Sequence, residues 1–211
     1  MPNKLSQAIL DEIENVTLNH YQLSAESFWL GTYNHDVSQN INAFLDVLPK
    51  DKVLDILDFG CGPGRDLLTF KKMGHQPMGL DGSKAFCKMA QRHSGCAVLQ
   101  QQFLSLSLGE AQFDGVFANA SLFHVPRQEL NGVLTACHRA LRPGGILFMS
   151  NPRGNAEGWQ GDRFASYMEF EETESALEQT GFSVLHHYYR PEGKPRNQQP
   201  WLAILCQVKA L

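Results

Sequence analysis

The chain has no Cys-x-x-Cys pair, and its five cysteines, at 61, 87, 96, 137 and 206, are odd in number and widely spaced. Neither a disulfide framework nor a zinc knuckle is indicated, so the thiols read as reduced and mostly buried, and no metal site is expected. No segment reaches the roughly 18 apolar residues that a membrane span needs, and the opening stretch MPNKLSQAILDEIEN is polar, without an apolar signal core. A soluble, cytoplasmic protein is expected. Positive charge is not in excess: 18 Lys and Arg stand against 22 Asp and Glu, a formal net charge of −4. No global field therefore draws nucleic acid or an anionic membrane to it. Eighteen Gly and ten Pro are too few for a low-complexity chain, and 43% hydrophobic with 19% charged residues in 211 is ordinary globular composition. The length fits one domain with a small appendage.

From residue 53 onward, β-branched or apolar runs alternate with helical patterns, which is how a mostly parallel sheet is written in sequence. Strands are expected at 53–59, 76–81, 96–100, 113–119 and 145–151. Helices are expected over Gly64–Met73, Ser83–His93 (with Ser83 as N-cap) and Arg127–Leu141, the last stopped by Arg142-Pro143-Gly144-Gly145. Asn151–Gly161 reads as a Gly/Asn-rich loop, Glu171–Thr180 as a helix, and Phe182–Arg190 and Trp201–Lys209 as two strands. The ten residues Pro191–Pro200 between them cannot house a crossover helix, so that pair is expected to be antiparallel. The fold class is then α/β: a doubly wound, seven-stranded, mostly parallel sheet whose last strand is antiparallel and lies beside strand five. Residues 3–49 have helical periodicity, with Leu5, Ile9, Ile13 and Val16 on one face and Ile41, Phe44, Leu45 and Leu48 on another. Residues 1–49 are expected to cap the sheet as part of the same domain as residues 50–211.

The segment Leu54-Asp55-Ile56-Leu57-Asp58-Phe59-Gly60-Cys61-Gly62-Pro63-Gly64-Arg65-Asp66 runs from strand through a glycine turn into a helix. Its three glycines let backbone approach a ligand closely, and the helix start offers free N–H groups. Asp81 closes the second strand about twenty residues later, in Gly79-Leu80-Asp81-Gly82-Ser83, where a carboxylate accepts both ribose hydroxyls of an adenosyl ligand. A dinucleotide fold usually has Gly-x-Gly-x-x-Gly; here the third glycine falls one residue early, and the Asp58 carboxylate suits a pyrophosphate poorly. S-adenosylmethionine instead carries an ammonium and a sulfonium, which a carboxylate attracts.

With this turn, Asp81, the fourth strand Phe113-Asp114-Gly115-Val116-Phe117-Ala118-Asn119 and Leu141-Arg142-Pro143-Gly144-Gly145 in that order, the chain resembles the class I S-adenosylmethionine-dependent methyltransferases over roughly residues 40–210. It is most similar to the small bacterial enzymes that act on small molecules. The resemblance implies that Gly60, Gly62 and Gly64 cradle the methionine end; Asp58 and Cys61 are counted with them as cofactor-binding, Cys61 as a turn filler rather than a nucleophile because the chemistry needs none. The resemblance also implies that Asp81 and Gly82 meet the ribose, that Gln102 and Phe103 flank adenine, and that the backbone of Ala118 and Asn119 meets the ammonium. Gln102 departs from the family, which usually has Asp or Asn there, one methylene shorter.

The expected partner is a small-molecule methyl acceptor, with monomer and homodimer both left open. Methyl transfer from a sulfonium is an in-line displacement that needs a base only when the acceptor carries a proton. His124, after strand four, and His35, between the amino-terminal helices, are the candidate bases, with a group titrating near 6–7 expected in the rate. Trp29, Arg153, Trp159, Tyr189 and Arg190 are the candidate acceptor contacts: aromatic surface that excludes water, and Arg153 or Arg190 to hold an anionic group. An adenosylmethionine-binding sensor or partner module without chemistry is the alternative. A nucleic-acid methyltransferase lacks support, since no Asn-Pro-Pro-aromatic string follows strand four.

Overall fold

A computed structural model describes residues 4–209. Three helices open the chain: α1 (Gln7–Leu23), α2 (Ala25–Thr32) and α3 (Ser38–Asp46). Ser6 caps α1 by accepting from the Ile9 amide. The inward stripe of α1 differs from the expected one. Leu10, Ile13 and Thr17 are buried, whereas Ile9 and Val16 are 43% and 37% exposed. The helix turns a partly polar face inward because that face carries hydrogen-bonding side chains toward the site, a choice apolar periodicity cannot reveal. Residues 1–3 of the expected cap lie outside the described residues.

The βα alternation follows as β1 (Asp55–Phe59), α4 (Arg65–Lys72), β2 (Gln76–Asp81), α5 (Lys84–Ser94), β3 (Val98–Gln100), β4 (Phe113–Asn119), α6 (Arg127–Ala140) and β5 (Leu141–Pro152). Ser83 caps α5, its hydroxyl accepting from the Phe86 amide. After β5 come β6 (Glu157–Gln160), β7 (Arg163–Ser166), α7 (Phe170–Gln179), β8 (Phe182–Arg190) and β9 (Trp201–Val208). Seven strands form one sheet in the order β3-β2-β1-β4-β5-β9-β8. All are parallel except β9, which runs antiparallel to both β5 and β8, as the sequence predicts. Strand β5 starts earlier than expected: Leu141 pairs with Phe113, then the ladder shifts and resumes at Gly115 with Ile146, so Arg142–Gly145 bulges within it.

Both faces of the sheet are covered, and the strands alternate accordingly. Ile56, Phe117 and Phe148 pack with Ile41, Phe44 and Leu48 of α3 and its following turn, and with Phe70 of α4. Leu57, Phe59, Val116, Ala118 and Leu147 point the other way, toward Leu134 and Cys137 of α6 and Leu177 of α7. Each fully buried Phe or Leu among them contributes about 1.5–3 kcal/mol. The expected loop Asn151–Gly161 is corrected in part: β6 and β7 form a separate antiparallel hairpin, with Gln160 opposite Arg163 and only Gly161-Asp162 between them. Gly161 takes φ +64°, the left-handed conformation a two-residue hairpin turn demands. A glycine-rich stretch thus reads as loop when its Gly-Asp is a turn.

Candidate active site

Strand order reverses between β1 and β4, so their carboxyl ends open a crevice, the place where doubly wound sheets bind ligands. The turn after β1 forms its floor. The amides of Gly60 and Cys61 donate to the Leu80 carbonyl at 2.8 and 2.9 Å, and the Gly62 amide donates to Asp81 Oδ2 at 3.0 Å. The Ser83 amide donates to Asp81 Oδ1 at 2.8 Å. Asp81 is therefore clamped between the turn and the start of α5, 8% exposed, and burial pushes its carboxyl up to about 6 against the pull of those amides. Gly60 sits at φ +77° with a notional Cβ 2.3 Å from Ser121 Cβ, so no side chain fits there. Gly64, at φ +90°, lies against Ala90 of α5 and serves helix packing rather than the crevice.

Beneath the turn, Asp58 is 2% exposed and its Oδ2 has no hydrogen-bond partner. Burial first, then the neighbouring Asp66, holds its carboxyl well above the usual range. Asp66 itself is taken up by Arg65 through two hydrogen bonds, at 2.7 and 3.0 Å. It also accepts from Asn119 Nδ2 at 3.2 Å. Asn119 Oδ1 accepts from Asn40 Nδ2 at 2.9 Å, and Asn40 Oδ1 from the Tyr188 hydroxyl at 2.9 Å. This chain of bonds ties the end of β4 to α3 and β8.

The roof comes from α1 and the β6–β7 hairpin. Glu14, Thr17, Leu18 and Tyr21, at helical spacing, look into the crevice. Thr17 Oγ1 accepts from the Phe164 amide at 3.0 Å. His124 Nδ1 lies 2.7 Å from the Phe164 carbonyl and must donate to it, which leaves Nε2 to accept from the Tyr21 hydroxyl at 2.7 Å. Arg163 Nη1 donates to the same hydroxyl at 3.4 Å. Burial lowers His124 to about 4, so the expected titration near 6–7 does not belong to this imidazole.

Two cavities meet under this roof. One lies beneath α1, bounded by Leu18, Phe86, Phe103, Asp81 and Gly82. The other runs past His35, Asn119, Arg163, Arg190 and Trp201. Gly60, Gly62, Tyr21, Phe28 and Ala120 line both, at the waist between them. Of the residues singled out from sequence, His124 borders the inner cavity, while His35, Trp29, Cys61, Asn119 and Arg190 border the outer one. The two histidines are thus not neighbours in one cavity. Ala118 is fully buried within β4, and Gln102, just before the helical turn Phe103–Ser105, lines neither cavity.

Three expected acceptor contacts also lie elsewhere. Arg153 is committed to both oxygens of Glu169 at 3.0 Å and to the carbonyls of Gln199 and Arg196. Tyr189 is covered by the Arg196 guanidinium, 3.0 Å from its ring centre. Trp159 is 44% exposed, edge-on to Phe164. Sequence reasoning missed Tyr21, Phe28 and Arg163; the polar residues recurring along α1 were the available signal for the first.

A family model described as a methyltransferase domain matches residues 56–145. An uncharacterized methyltransferase of Synechocystis sp. is 28% identical over 158 residues, 69% of this chain and 73% of that protein. The ubiquinone biosynthesis O-methyltransferase of Pseudomonas aeruginosa is 34% identical over 110 residues, 49% of this chain, and the match spans about half, 47%, of that protein's length. In fold, the chain is similar to the Burkholderia thailandensis 1,6-didemethyltoxoflavin-N1-methyltransferase, solved with its substrate and S-adenosylhomocysteine. The TM-score is 0.75 at 22% identity, covering 99% of this chain and 94% of that one. Glycine turn, switch-point crevice and strand order accompany the methyltransferase-domain match over residues 56–145, and the fold is that of the class I S-adenosylmethionine-dependent methyltransferases.

Proposed function

We propose that the protein transfers a methyl group from S-adenosylmethionine to a small-molecule acceptor in the outer cavity, by in-line displacement across the waist. The observation that carries this reading is the pair of cavities joined at Gly60, Gly62, Tyr21, Phe28 and Ala120. The inner one is walled mostly by apolar side chains, among them Leu18, Phe86 and Phe103, and the outer one carries charged and aromatic side chains, among them Arg163, Arg190 and Trp201. The residues present fit the donor. Asp58 borders neither cavity and is 2% exposed beneath the glycine turn; its unpartnered oxygen would complement the donor's ammonium through the turn rather than by contact, and a cation there would favour the charged form that burial disfavours. Asp81 keeps lone pairs free beyond the two amides it accepts from, enough for ribose hydroxyls. Phe86 and Phe103 supply flat apolar walls for a base. When bound, the donor supplies an electrophilic methyl on a positively charged sulfur.

The protein's own part is alignment and dryness. Tyr21 and Phe28 stand at the waist and exclude water from it; His124 fixes the Tyr21 hydroxyl from behind. His35 borders the outer cavity and is the histidine within reach of an acceptor proton, while His124 acts through Tyr21. Small-molecule acceptors are consistent with the names of the Pseudomonas and Burkholderia proteins, each a small-molecule methyltransferase by name. We read residues 1–49 and 50–211 as one domain, roof and floor of a single site, and the setting as cytoplasmic, in keeping with five free thiols and no helix among the described residues long and apolar enough to cross a membrane. Calorimetry with S-adenosylhomocysteine, followed by incubation with methyl-labelled donor and a metabolite extract, tests the reading. A labelled small product supports it; binding without transfer leaves a binding module, and absence of binding removes both.

A further inference from the structure

Six of the nine arginines in this chain are paired with a carboxylate. Arg65, Arg92, Arg127, Arg139, Arg142 and Arg153 each have a carboxylate within 4.0 Å, on Asp66, Glu26, Glu172, Glu110, Asp55 and Asp114, and Glu169 respectively. Arg196 lies flat on Tyr189. Like Arg196, Arg163 and Arg190 have no carboxylate partner among the described residues, and these two line the same outer cavity. They reach it from unrelated elements, Arg163 from the first position of β7 and Arg190 from the last of β8. Both are half-buried, so each has given up part of its hydration without gaining an anion. Arg163 leans over the Tyr21 ring, 5.9 Å from its centre, and Trp29, Phe123 and Trp201 furnish flat apolar surface around the same space. Asp36 also borders the cavity and feels Arg190, but it is farther than 4.0 Å from it and its carboxylate already accepts from the Ser38 amide at 2.9 Å.

From this arrangement we infer that the acceptor is a planar, anionic molecule, a carboxylate on an aromatic or conjugated frame. Its charge is held between Arg163 and Arg190 and its ring lies against the aromatic walls. Guanidinium groups bind carboxylates by parallel N–H donors, which fixes orientation as well as charge. An anion there also faces the positive sulfur of the donor across the waist, so donor and acceptor favour each other's binding. This assignment rests on the methyltransferase reading above and sharpens it to a substrate class. Arg153, which the sequence offers for this task, is replaced in it by Arg163.

The test uses the full chain saturated with S-adenosylhomocysteine and titrated with benzoate, 4-hydroxybenzoate and 2-naphthoate, each against its neutral amide, followed by tryptophan fluorescence and calorimetry. Saturable binding of carboxylates at least tenfold tighter than of the amides is expected. Arg163→Gln and Arg190→Gln should each weaken carboxylate binding by about ten- to a hundredfold, the range for a charge-assisted hydrogen bond, and Arg190→Lys should restore part of it. S-adenosylhomocysteine affinity, which also reports that each variant is folded, should not change. Equal binding of amide and acid, or carboxylate binding indifferent to both arginines, or no carboxylate binding by the loaded protein, overturns the inference and leaves the methyltransferase reading standing. Failure to bind S-adenosylhomocysteine at all overturns that reading, and the inference with it.

Discussion

Asp81 and Tyr21 face the same crevice, yet they are positioned by different kinds of bond. Asp81 is fixed by amides of its own neighbourhood, Ser83 two residues on and Gly62 in the adjoining turn. Tyr21 is fixed by His124, 103 residues away, which is fixed in turn by the carbonyl of Phe164 on a hairpin outside the sheet. The floor is therefore a main-chain structure with little freedom to vary, and the roof is a set of side chains from three distant segments. Chemistry common to the family belongs on the first kind of surface, and acceptor choice on the second, because side chains change without disturbing the backbone that holds the donor.

The largest expected effects break the floor. Gly60→Ala puts a Cβ 2.3 Å from Ser121 Cβ at a left-handed φ. Strain and overpacking together should lower stability by about 2–4 kcal/mol and abolish S-adenosylhomocysteine binding. Denaturant unfolding and calorimetry check both, and an unchanged midpoint would mean the floor is softer than its geometry. Asp81→Ala comes next. Losing a charge-assisted acceptor should weaken S-adenosylhomocysteine binding by about 1.5–3 kcal/mol. In the wild type, affinity should itself fall as pH drops through about 6, where Asp81 takes up a proton and loses the charge proposed to hold the ribose hydroxyls.

How much of this was legible follows the same division. The strand–turn–helix at 55–66, the acid at the end of β2 and the antiparallel last strand are written in short local patterns, because each is set by glycine freedom, by period-two burial or by a connection too short for a helix. The roof is not local. Ile9 and Val16 are apolar yet face solvent, since α1 turns its Thr17 and Tyr21 toward bonds that exist only once β7 and the turn after β4 have arrived. Arg153 was a reasonable anion clamp on chemistry alone, but Glu169 sixteen residues later neutralises it, and single-chain patterns do not reveal which carboxylate an arginine will meet.

A finer contrast lies in pH. Asp81 holds its proton more tightly folded, at about 6, than in the unfolded chain, at 3.8. The folded state then carries the extra proton between roughly pH 4 and 6, and stability falls as pH rises through that window. His124 is the opposite case: about 4 folded against 6.5 unfolded, so the unfolded chain carries the proton and stability rises with pH across nearly the same window. Relative to wild type, Asp81→Asn should tilt the stability profile upward with pH and His124→Asn should tilt it downward. Each difference should be on the order of 1–2 kcal/mol from pH 4 to 6.5, once relaxation of the buried groups is allowed for. Urea midpoints at several pH values measure it, and parallel profiles in all three proteins would dissolve the contrast between floor and roof. No histidine-like limb from His124 is expected in the rate between pH 6 and 7.

The smallest expected effect asks where the roof ends. Trp159 sits on the outer strand of the hairpin that carries Arg163 and Phe164, but its own side chain is 44% exposed and meets Phe164 edge-on, with ring centres 5.8 Å apart. One edge-to-face contact on a half-exposed ring is worth about 0.5–1.5 kcal/mol at most, and the residue borders neither cavity. Trp159→Ala should therefore cost less than about 1 kcal/mol and leave binding of S-adenosylhomocysteine and of carboxylates unchanged. Arg163→Gln, four positions on and across the Gly161-Asp162 turn, should do the reverse, leaving stability near wild type and weakening carboxylate binding by about ten- to a hundredfold. If Trp159→Ala instead weakens carboxylate binding as much as Arg163→Gln does, the hairpin folds down over the acceptor. The roof then extends past Arg163 to the whole hairpin, as a tryptophan on a mobile cover would require.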